Sequence, residues 1–188
     1  MVYVSLKSPA SADKLMSLDA NTGAIHSYSL SGSDFSTHQL IATGFAGYAM
    51  TSGDVDGDGL GDLILSNASR VSVIFQNANG SFNRVDLYQG GAQVYDVKAG
   101  DFDGDGIDEL LVATSTSGGP QVWNATRTGY VPTAAWSPSG FGSGGWITGD
   151  FDGDGRSDAF TYSHGFSGSD MWLSTGSALA FNRMWTQA

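Results

Sequence analysis

Asp54-Val-Asp-Gly-Asp-Gly-Leu-Gly-Asp62 is the first of three copies of one acidic loop; the others are Asp101-Phe-Asp-Gly-Asp-Gly-Ile-Asp-Glu109 and Asp150-Phe-Asp-Gly-Asp-Gly-Arg-Ser-Asp158. Successive copies begin 47 and 49 residues apart. A motif that recurs at such a period is typical of repeat proteins, in which each repeat is one structural unit. We call the copies loop 1, loop 2 and loop 3, and number the positions of each from 1 to 9.

The residue types in these loops predict calcium binding. Each loop has a carboxylate at positions 1, 3, 5 and 9 and a glycine at position 6. Glycine permits the positive φ that a tight curl requires, so the side chains of positions 1, 3 and 5 can converge. The carbonyl of position 7 then points inward, and the acid at position 9 closes the cage. The predicted ligands are Asp54, Asp56, Asp58, Leu60 and Asp62 in loop 1, Asp101, Asp103, Asp105, Ile107 and Glu109 in loop 2, and Asp150, Asp152, Asp154, Arg156 and Asp158 in loop 3.

Calcium suits this ligand set better than other metals. It takes six to eight oxygen ligands at roughly 2.3–2.6 Å, whereas magnesium requires a stricter octahedron and keeps its waters. Zinc prefers nitrogen and sulfur, and the chain has no Cys and only 3 His. With one ion per loop, the sequence predicts about three Ca²⁺.

Two other interpretations of the loops are less favoured. An EF-hand needs a bidentate Glu at position 12 and a helix on each side. Position 12 is Leu65, Val112 or Thr161, and a short β-like segment follows each loop. Asp/Gly turns satisfied by water do not explain three copies in register, each with an acid at position 9.

The charge distribution also favours bound cations. Positions 1, 3, 5 and 9 of the three loops hold 12 of the 19 acids, so the other 7 acids face 8 Lys and Arg. The net charge of −11 therefore lies mostly in the loops. Four clustered carboxylates repel one another strongly when no cation is present.

Composition predicts an all-β chain. At 188 residues we expect one domain or one repeat array. Charged residues make up 14%, aromatic residues 12%, and Gly occurs 27 times, which is typical of short strands and tight turns. No apolar run approaches the roughly 18 residues of a membrane span, so we expect no membrane insertion. The acidic balance argues against a nucleic-acid partner.

Alignment on the loops shows a unit of four strands. In the first full unit, strands are predicted around residues 48–53, 63–65 and 71–75, with a fourth that ends near Leu87. The fourth strands of the next two units end near Trp136 and Trp185. Four short antiparallel strands in about 47 residues indicate a β-propeller blade.

The chain resembles the FG-GAP/VCBS repeat family from about residue 44 to residue 188. The resemblance rests on the DxDxDGxxD loops, on Phe141-Gly142 before loop 3, on Gly119-Pro120 after loop 2, and on the run from Trp172 to Phe181. It implies propeller blades with calcium loops between the first two strands, as in integrin α-chain heads and propeller lectins. It also implies an extracellular or cell-surface location, where calcium is plentiful.

We expect one propeller array with blades at about residues 1–42, 43–90, 91–139 and 140–188. The first is predicted to be partial, with a second strand at 2–6 and a third at 15–18, because neither a first strand nor a DxDxDG loop precedes them. Three full blades and a partial one suggest a fragment of a larger propeller, a small imperfect ring, or two copies that complete one ring as a homo-oligomer.

The sequence predicts a binding module and not an enzyme. His26, His38 and His164 are far apart in sequence, and no common catalytic motif is present. We therefore expect structural calcium and a glycan ligand, with Trp136, Trp146 and Trp172 as candidates to stack on a sugar. The alternatives are an extracellular protein-interaction scaffold and an accessory domain of a secreted hydrolase.

Overall fold

The computed structural model describes residues 1–7, 12–31, 34–117, 120–133, 145–162 and 169–185. Within these ranges the chain forms four antiparallel sheets, each with four strands in chain order. The first two sheets comprise β1 (Val2–Leu6), β2 (Lys14–Leu18), β3 (Ile25–Ser31), β4 (Asp34–Ala42), β5 (Ala49–Gly53), β6 (Asp62–Asn67), β7 (Arg70–Gln76) and β8 (Phe82–Gln89). The last two comprise β9 (Val94–Gly100), β10 (Glu109–Thr114), β11 (Pro120–Thr126), β12 (Gly129–Thr133), β13 (Gly145–Gly149), β14 (Asp158–Tyr162), β15 (Ser169–Ser174) and β16 (Leu179–Trp185).

The sheets stand side by side as the blades of a β-propeller array, which confirms the predicted fold class. The innermost strands contact one another in sequence, β1 with β5, β5 with β9, and β9 with β13. No contact of comparable extent joins β1 to β13 among the described residues. We call this array of four blades the arc. No helix in the described ranges is long and apolar enough to cross a membrane.

Apolar side chains fill the three spaces between successive sheets. Leu63 and Leu65 pack against the first sheet, whereas Ile64, which lies between them, packs against the third. Because successive side chains of a strand point to opposite faces, a strand that is covered on both faces is apolar throughout. This explains why β6 and β10 are short continuous apolar runs, as a buried propeller strand requires.

The prediction of a partial first blade is wrong in its strand count, because the first sheet has four strands. Residues 2–6 form the innermost strand and not the second, and β1 contacts β5 as the other innermost strands contact their neighbours. The turn at Asp19 to Gly23 joins the second and third strands. The polar segment 25–42 forms β3 and β4. The prediction used an acidic loop as the sign of an innermost strand. β1 shows that an innermost strand forms without such a loop after it.

Candidate metal centres

Each acidic loop joins the first strand of its blade to the second, as predicted. The glycines at positions 4 and 6 have φ between 73° and 90°, a region that favours glycine. The positive φ at position 6 was predicted, whereas the one at position 4 was not. Together these two glycines turn the loop back on itself and bring its acids to one side.

The carboxylate at position 1 holds the curled backbone. In loop 1, Asp54 accepts a hydrogen bond from the N–H of Gly59 at 2.8 Å. The equivalent bonds to Asp101 and Asp150 measure 2.9 Å and 3.0 Å. The position 5 carboxylate also accepts from the N–H of position 7, at 2.8–2.9 Å in all three loops. The loops thus share one hydrogen-bond pattern, so their geometry follows from the repeated sequence.

Three groups of acids can each hold a metal ion. Within each group, one carboxylate oxygen per residue lies within 4.8 Å of the others. The groups are Asp54, Asp56 and Asp58 in loop 1, Asp101, Asp103 and Glu109 in loop 2, and Asp150, Asp152 and Asp158 in loop 3. The structure therefore gathers acids from every loop, and brings position 9 into the group in loops 2 and 3.

The acid at position 9 is buried, and in loops 1 and 3 it fastens the loop to the third strand. Asp62 has no exposed surface, and its two oxygens accept hydrogen bonds from the N–H groups of Val55 (3.2 Å) and Gln76 (2.9 Å). Asp158 accepts in the same way from Phe151 and Ser174. The sequence predicted position 9 as a metal ligand but gave no sign of this structural role.

The electrostatics of the loops are unfavourable without a cation. Burial raises the pKa of Asp62 to about 7, and the carboxylates of Asp56 and Asp58 contribute in the same direction. Burial likewise raises the pKa of Glu109 to about 7, with contributions from the other loop 2 acids. Burial also raises the pKa of Asp54. A positive ion in the loop would offset these pKa shifts, because it favours the ionised form of each acid.

A hard cation fits these residues. Oδ1 of Asp54 is buried and has no hydrogen-bond partner within the described part of the chain. A buried carboxylate oxygen without a partner is costly and usually coordinates an ion or water. The grouped donors in all three loops are carboxylate oxygens, the ligand type that calcium prefers.

Successive loops are linked by backbone hydrogen bonds between blades. The N–H at position 8 donates to the carbonyl at position 1 of the preceding loop, from Asp108 to Asp54 at 2.8 Å and from Ser157 to Asp101 at 2.6 Å. Gly61 donates in the same way to the carbonyl of Lys7 at 3.0 Å. Lys7 therefore occupies, in the first blade, the place of the first aspartate of a loop.

Arg127 makes loop 1 different from the other loops. It extends from the turn between β11 and β12, and its guanidinium forms ion pairs with Asp56 (2.5 Å) and Asp58 (3.2 Å). It also donates to the side chain of Asn77 at 2.6 Å and lies 5.0 Å from the ring centroid of Phe75. A permanent positive charge from the third blade thus partly neutralises the loop of the second blade.

A cleft of about 280 Å³ lies beside Arg127, between the second and third blades. Polar groups of Asp56, Asp105 and Asn124 line it together with the apolar side chains of Val55 and Ile107. Ligand pockets combine an apolar lining with a few polar groups in this manner, although most are larger, at about 300–1,000 Å³.

The structure places two of the three candidate tryptophans inside the protein. Trp146 and Trp172 are 2% and 5% exposed and pack between the third and fourth sheets. Neither ring has a face exposed to solvent, so a sugar would have to contact residues other than these two tryptophans. Trp136 lies outside the described residues. The structure also brings together His26 and His38, whose ring centroids are 5.6 Å apart beside Tyr28, and sequence spacing did not indicate this.

Comparison with known proteins identifies the repeat. The FG-GAP-like repeat matches residues 54–112 and 101–161, and the two matches together span more than half of the chain. The chain belongs to the FG-GAP-like repeat family. Each match starts at the first aspartate of a loop, so the loops of this FG-GAP-like protein are part of what defines the repeat. Comparison with curated proteins finds no match.

Among solved structures, this FG-GAP-like chain is similar to a lectin from Agrocybe aegerita whose structure explains specific recognition of non-reducing terminal N-acetylglucosamine. The TM-score is 0.68 at 17% sequence identity. The match covers 97% of this chain and 51% of the lectin chain. The chain thus spans about half the length of that lectin, and the likeness establishes the shared propeller fold.

Proposed function

We propose that this chain is a calcium-binding, non-catalytic propeller module that binds carbohydrate. The observation that carries the calcium assignment is that each of the three loops gathers three acids around the same backbone pattern. The buried Oδ1 of Asp54 adds a second, since it lacks a hydrogen-bond partner among the described residues. The calcium is structural: one ion per loop offsets the repulsion of four carboxylates and fixes the bend between the first and second strands.

Carbohydrate binding is supported by the likeness to a lectin over nearly the whole chain. The cleft between the second and third blades is our candidate site, because it offers both kinds of contact that a sugar needs. Ile107 can cover an apolar face of a sugar ring, while Asp56, Asn124 and Arg127 can bond its hydroxyl groups. At about 280 Å³ the cleft suits a terminal sugar rather than a long chain.

The partners are then a glycan and, to complete the ring, a second copy of the chain, with an extracellular protein as the alternative to the glycan. An extracellular location follows from the calcium assignment, since extracellular modules bind calcium with dissociation constants of about 10⁻⁴–10⁻³ M.

Calcium removal tests the structural role. By mass action, a ligand that binds only the folded state stabilises it by about 2.7 kcal/mol at a hundred times its dissociation constant. We therefore expect the melting temperature to fall markedly when a chelator replaces calcium. An unchanged melting temperature would contradict calcium as a structural ion.

A glycan array in calcium tests the ligand class, with terminal N-acetylglucosamine among the sugars. Asn124→Ala, in the cleft, should weaken binding and leave the melting temperature nearly unchanged, because Asn124 is exposed. Asn182→Ala, on the exposed outer strand of the fourth blade, is the matched control and should bind like the wild type. Binding of no sugar by the folded, calcium-loaded protein would contradict the lectin assignment and favour a protein partner.

A further inference from the structure

Within the described part of the chain, each end of the arc leaves one sheet face without a neighbouring blade. On the first sheet this free face carries Tyr3, Leu15 and Tyr28, since Val4, Met16 and Leu18 face the second sheet. On the fourth sheet it carries Ile147, Phe160 and Met171, which lie directly opposite one another on adjacent strands. Residues directly opposite on antiparallel strands share a face, so these three form one apolar row.

Side chains at equivalent positions are buried wherever two blades meet. The third residue before the end of each innermost strand is Met50, Val97 or Trp146 in the later blades, with 8%, 4% and 2% of its surface exposed. The equivalent residue of the first blade, Tyr3, is 56% exposed. Tyr3 is therefore exposed at a position that is buried in every blade that has a preceding neighbour.

The same comparison applies to the other end of the arc. Position 2 of the loop is Val55 in loop 1 and Phe102 in loop 2, where it is 1% and 0% exposed and packs against the next blade. The equivalent residue of loop 3, Phe151, is 44% exposed. Phe151 is thus a large aromatic side chain that is exposed at the position which loops 1 and 2 bury against the following blade.

The glycine at the end of β13, Gly149, is an independent indication that another blade packs on this face. A Cβ on Gly53 would lie 2.7 Å from Oδ2 of Asp108, and one on Gly100 would lie 2.7 Å from Oγ of Ser157. Position 8 of the next loop therefore requires glycine at both sites. Around Gly149 the nearest atoms belong to Phe151, at 3.6 Å, so nothing in the described chain requires glycine there.

We propose that two copies of this chain close one ring around a two-fold axis, with the fourth sheet of each copy packed on the first sheet of the other. Each free face is then used once, which is the condition for a closed assembly. Phe151 and the row of Ile147, Phe160 and Met171 become buried against the apolar side chains of the second copy.

A repeated hydrogen bond specifies how the copies meet. Ser52 Oγ donates to the carbonyl of Ser5 in the preceding blade, and Thr148 Oγ1 donates to that of Ala99, both at 2.9 Å. These residues all precede the last residue of an innermost strand. Ser5 Oγ donates to Asp13 at 3.4 Å within the chain. In the ring this hydroxyl turns to donate to the carbonyl of Thr148 in the second copy.

Light scattering on the calcium-loaded chain tests this assembly. We expect twice the chain mass of 19.6 kDa for the wild type and a single chain mass for Ile147→Lys. Gly149→Ala should also shift the protein toward the monomer while preserving its circular dichroism, since the chain itself has room for the methyl group. Val131→Lys is the control, because Val131 is 64% exposed on the outer strand of the third blade, and it should remain dimeric.

Cross-linking tests the predicted contact directly, since the chain has no native cysteine. Ser5→Cys combined with Ile147→Cys, whose side chains lie on the two free faces, should give a covalent dimer under oxidising conditions. Ser5→Cys with Thr148→Cys should not, because the Thr148 side chain points to the third blade. A monomeric wild type at every concentration, an assembly of more than two copies, or a dimer that survives Ile147→Lys would overturn the proposal. This inference rests on the proposed completion of the ring and not on glycan binding. Because no sugar is present in these experiments, their failure leaves the lectin assignment to its own test.

Discussion

Replacement of Asp62 by Asn should change stability in opposite directions with and without calcium. The amide has the shape of the carboxylate but retains only one oxygen, so one of the two N–H groups, of Val55 or Gln76, loses its acceptor. A buried N–H without an acceptor costs about 1–3 kcal/mol. This loss is present under both conditions.

The charge of Asp62 acts against the calcium-free wild type. Burial raises its pKa from 3.8 to about 7, with contributions from the neighbouring loop acids. At 1.36 kcal/mol per pKa unit, holding this group ionised at pH 8 costs roughly 4 kcal/mol relative to the unfolded chain. The amide avoids this cost, so without calcium we expect Asp62→Asn to be more stable than the wild type by roughly 1–3 kcal/mol.

With calcium bound, the ion compensates the carboxylate, and the variant loses both a negative charge near the ion and one hydrogen bond. We then expect Asp62→Asn to be less stable than the wild type by at least about 1–3 kcal/mol. Urea unfolding at pH 8, in a chelator and in excess calcium, measures both values.

Asp96→Asn is the control for this experiment. Asp96 pairs with Lys98 at 2.6 Å on the surface, away from the loops, and such a pair contributes about 0–1 kcal/mol. Its small effect should be the same under both conditions. A change of the same sign for Asp62→Asn with and without calcium would refute the view that a cation neutralises this acid.

Two further outcomes follow from the charges around the loops. Arg127→Ala should lower the melting temperature of the calcium-free protein, because Asp56 and Asp58 lose their counter-charge. It should also enlarge the gain in melting temperature on calcium addition, and a smaller gain would contradict competition between the guanidinium and the ion. In the calcium-free protein, stability should fall as pH rises from about 4 to about 7, since folding raises the pKa of Asp62 and Glu109 to about 7. A calorimetric pH series shows whether calcium abolishes that fall.

The sequence predicted the parts of the fold that depend on local chemistry. The three loops, the strands that flank them and the positive φ at position 6 follow from residue types within a few positions of one another. Short β-like runs such as 63–65 also identified the strands that follow the loops. These features are local, so a single repeat already contains the information that determines them.

Features that depend on contacts between blades were not predicted. Arg127 lies 71 residues from Asp56, and nothing in its own segment indicates that the turn reaches loop 1. The first sheet was misjudged because β3 and β4 carry Ser, His, Thr and Gln instead of an apolar run. Trp146 and Trp172 could be interior residues or ligand contacts on sequence grounds, and only the packing of the fourth sheet on the third places them inside.

Lys7 shows that the hydrogen bond between successive blades does not depend on the acids that would bind a metal. Gly61 bonds to the backbone carbonyl of Lys7 just as Asp108 bonds to that of Asp54, so the connection between loops is independent of the side chain at position 1. A blade can therefore lose its acids by mutation and still hold its neighbour in position. Gene duplication can then multiply such blades, with calcium retained in some copies and discarded in others, without disturbing the order of the array.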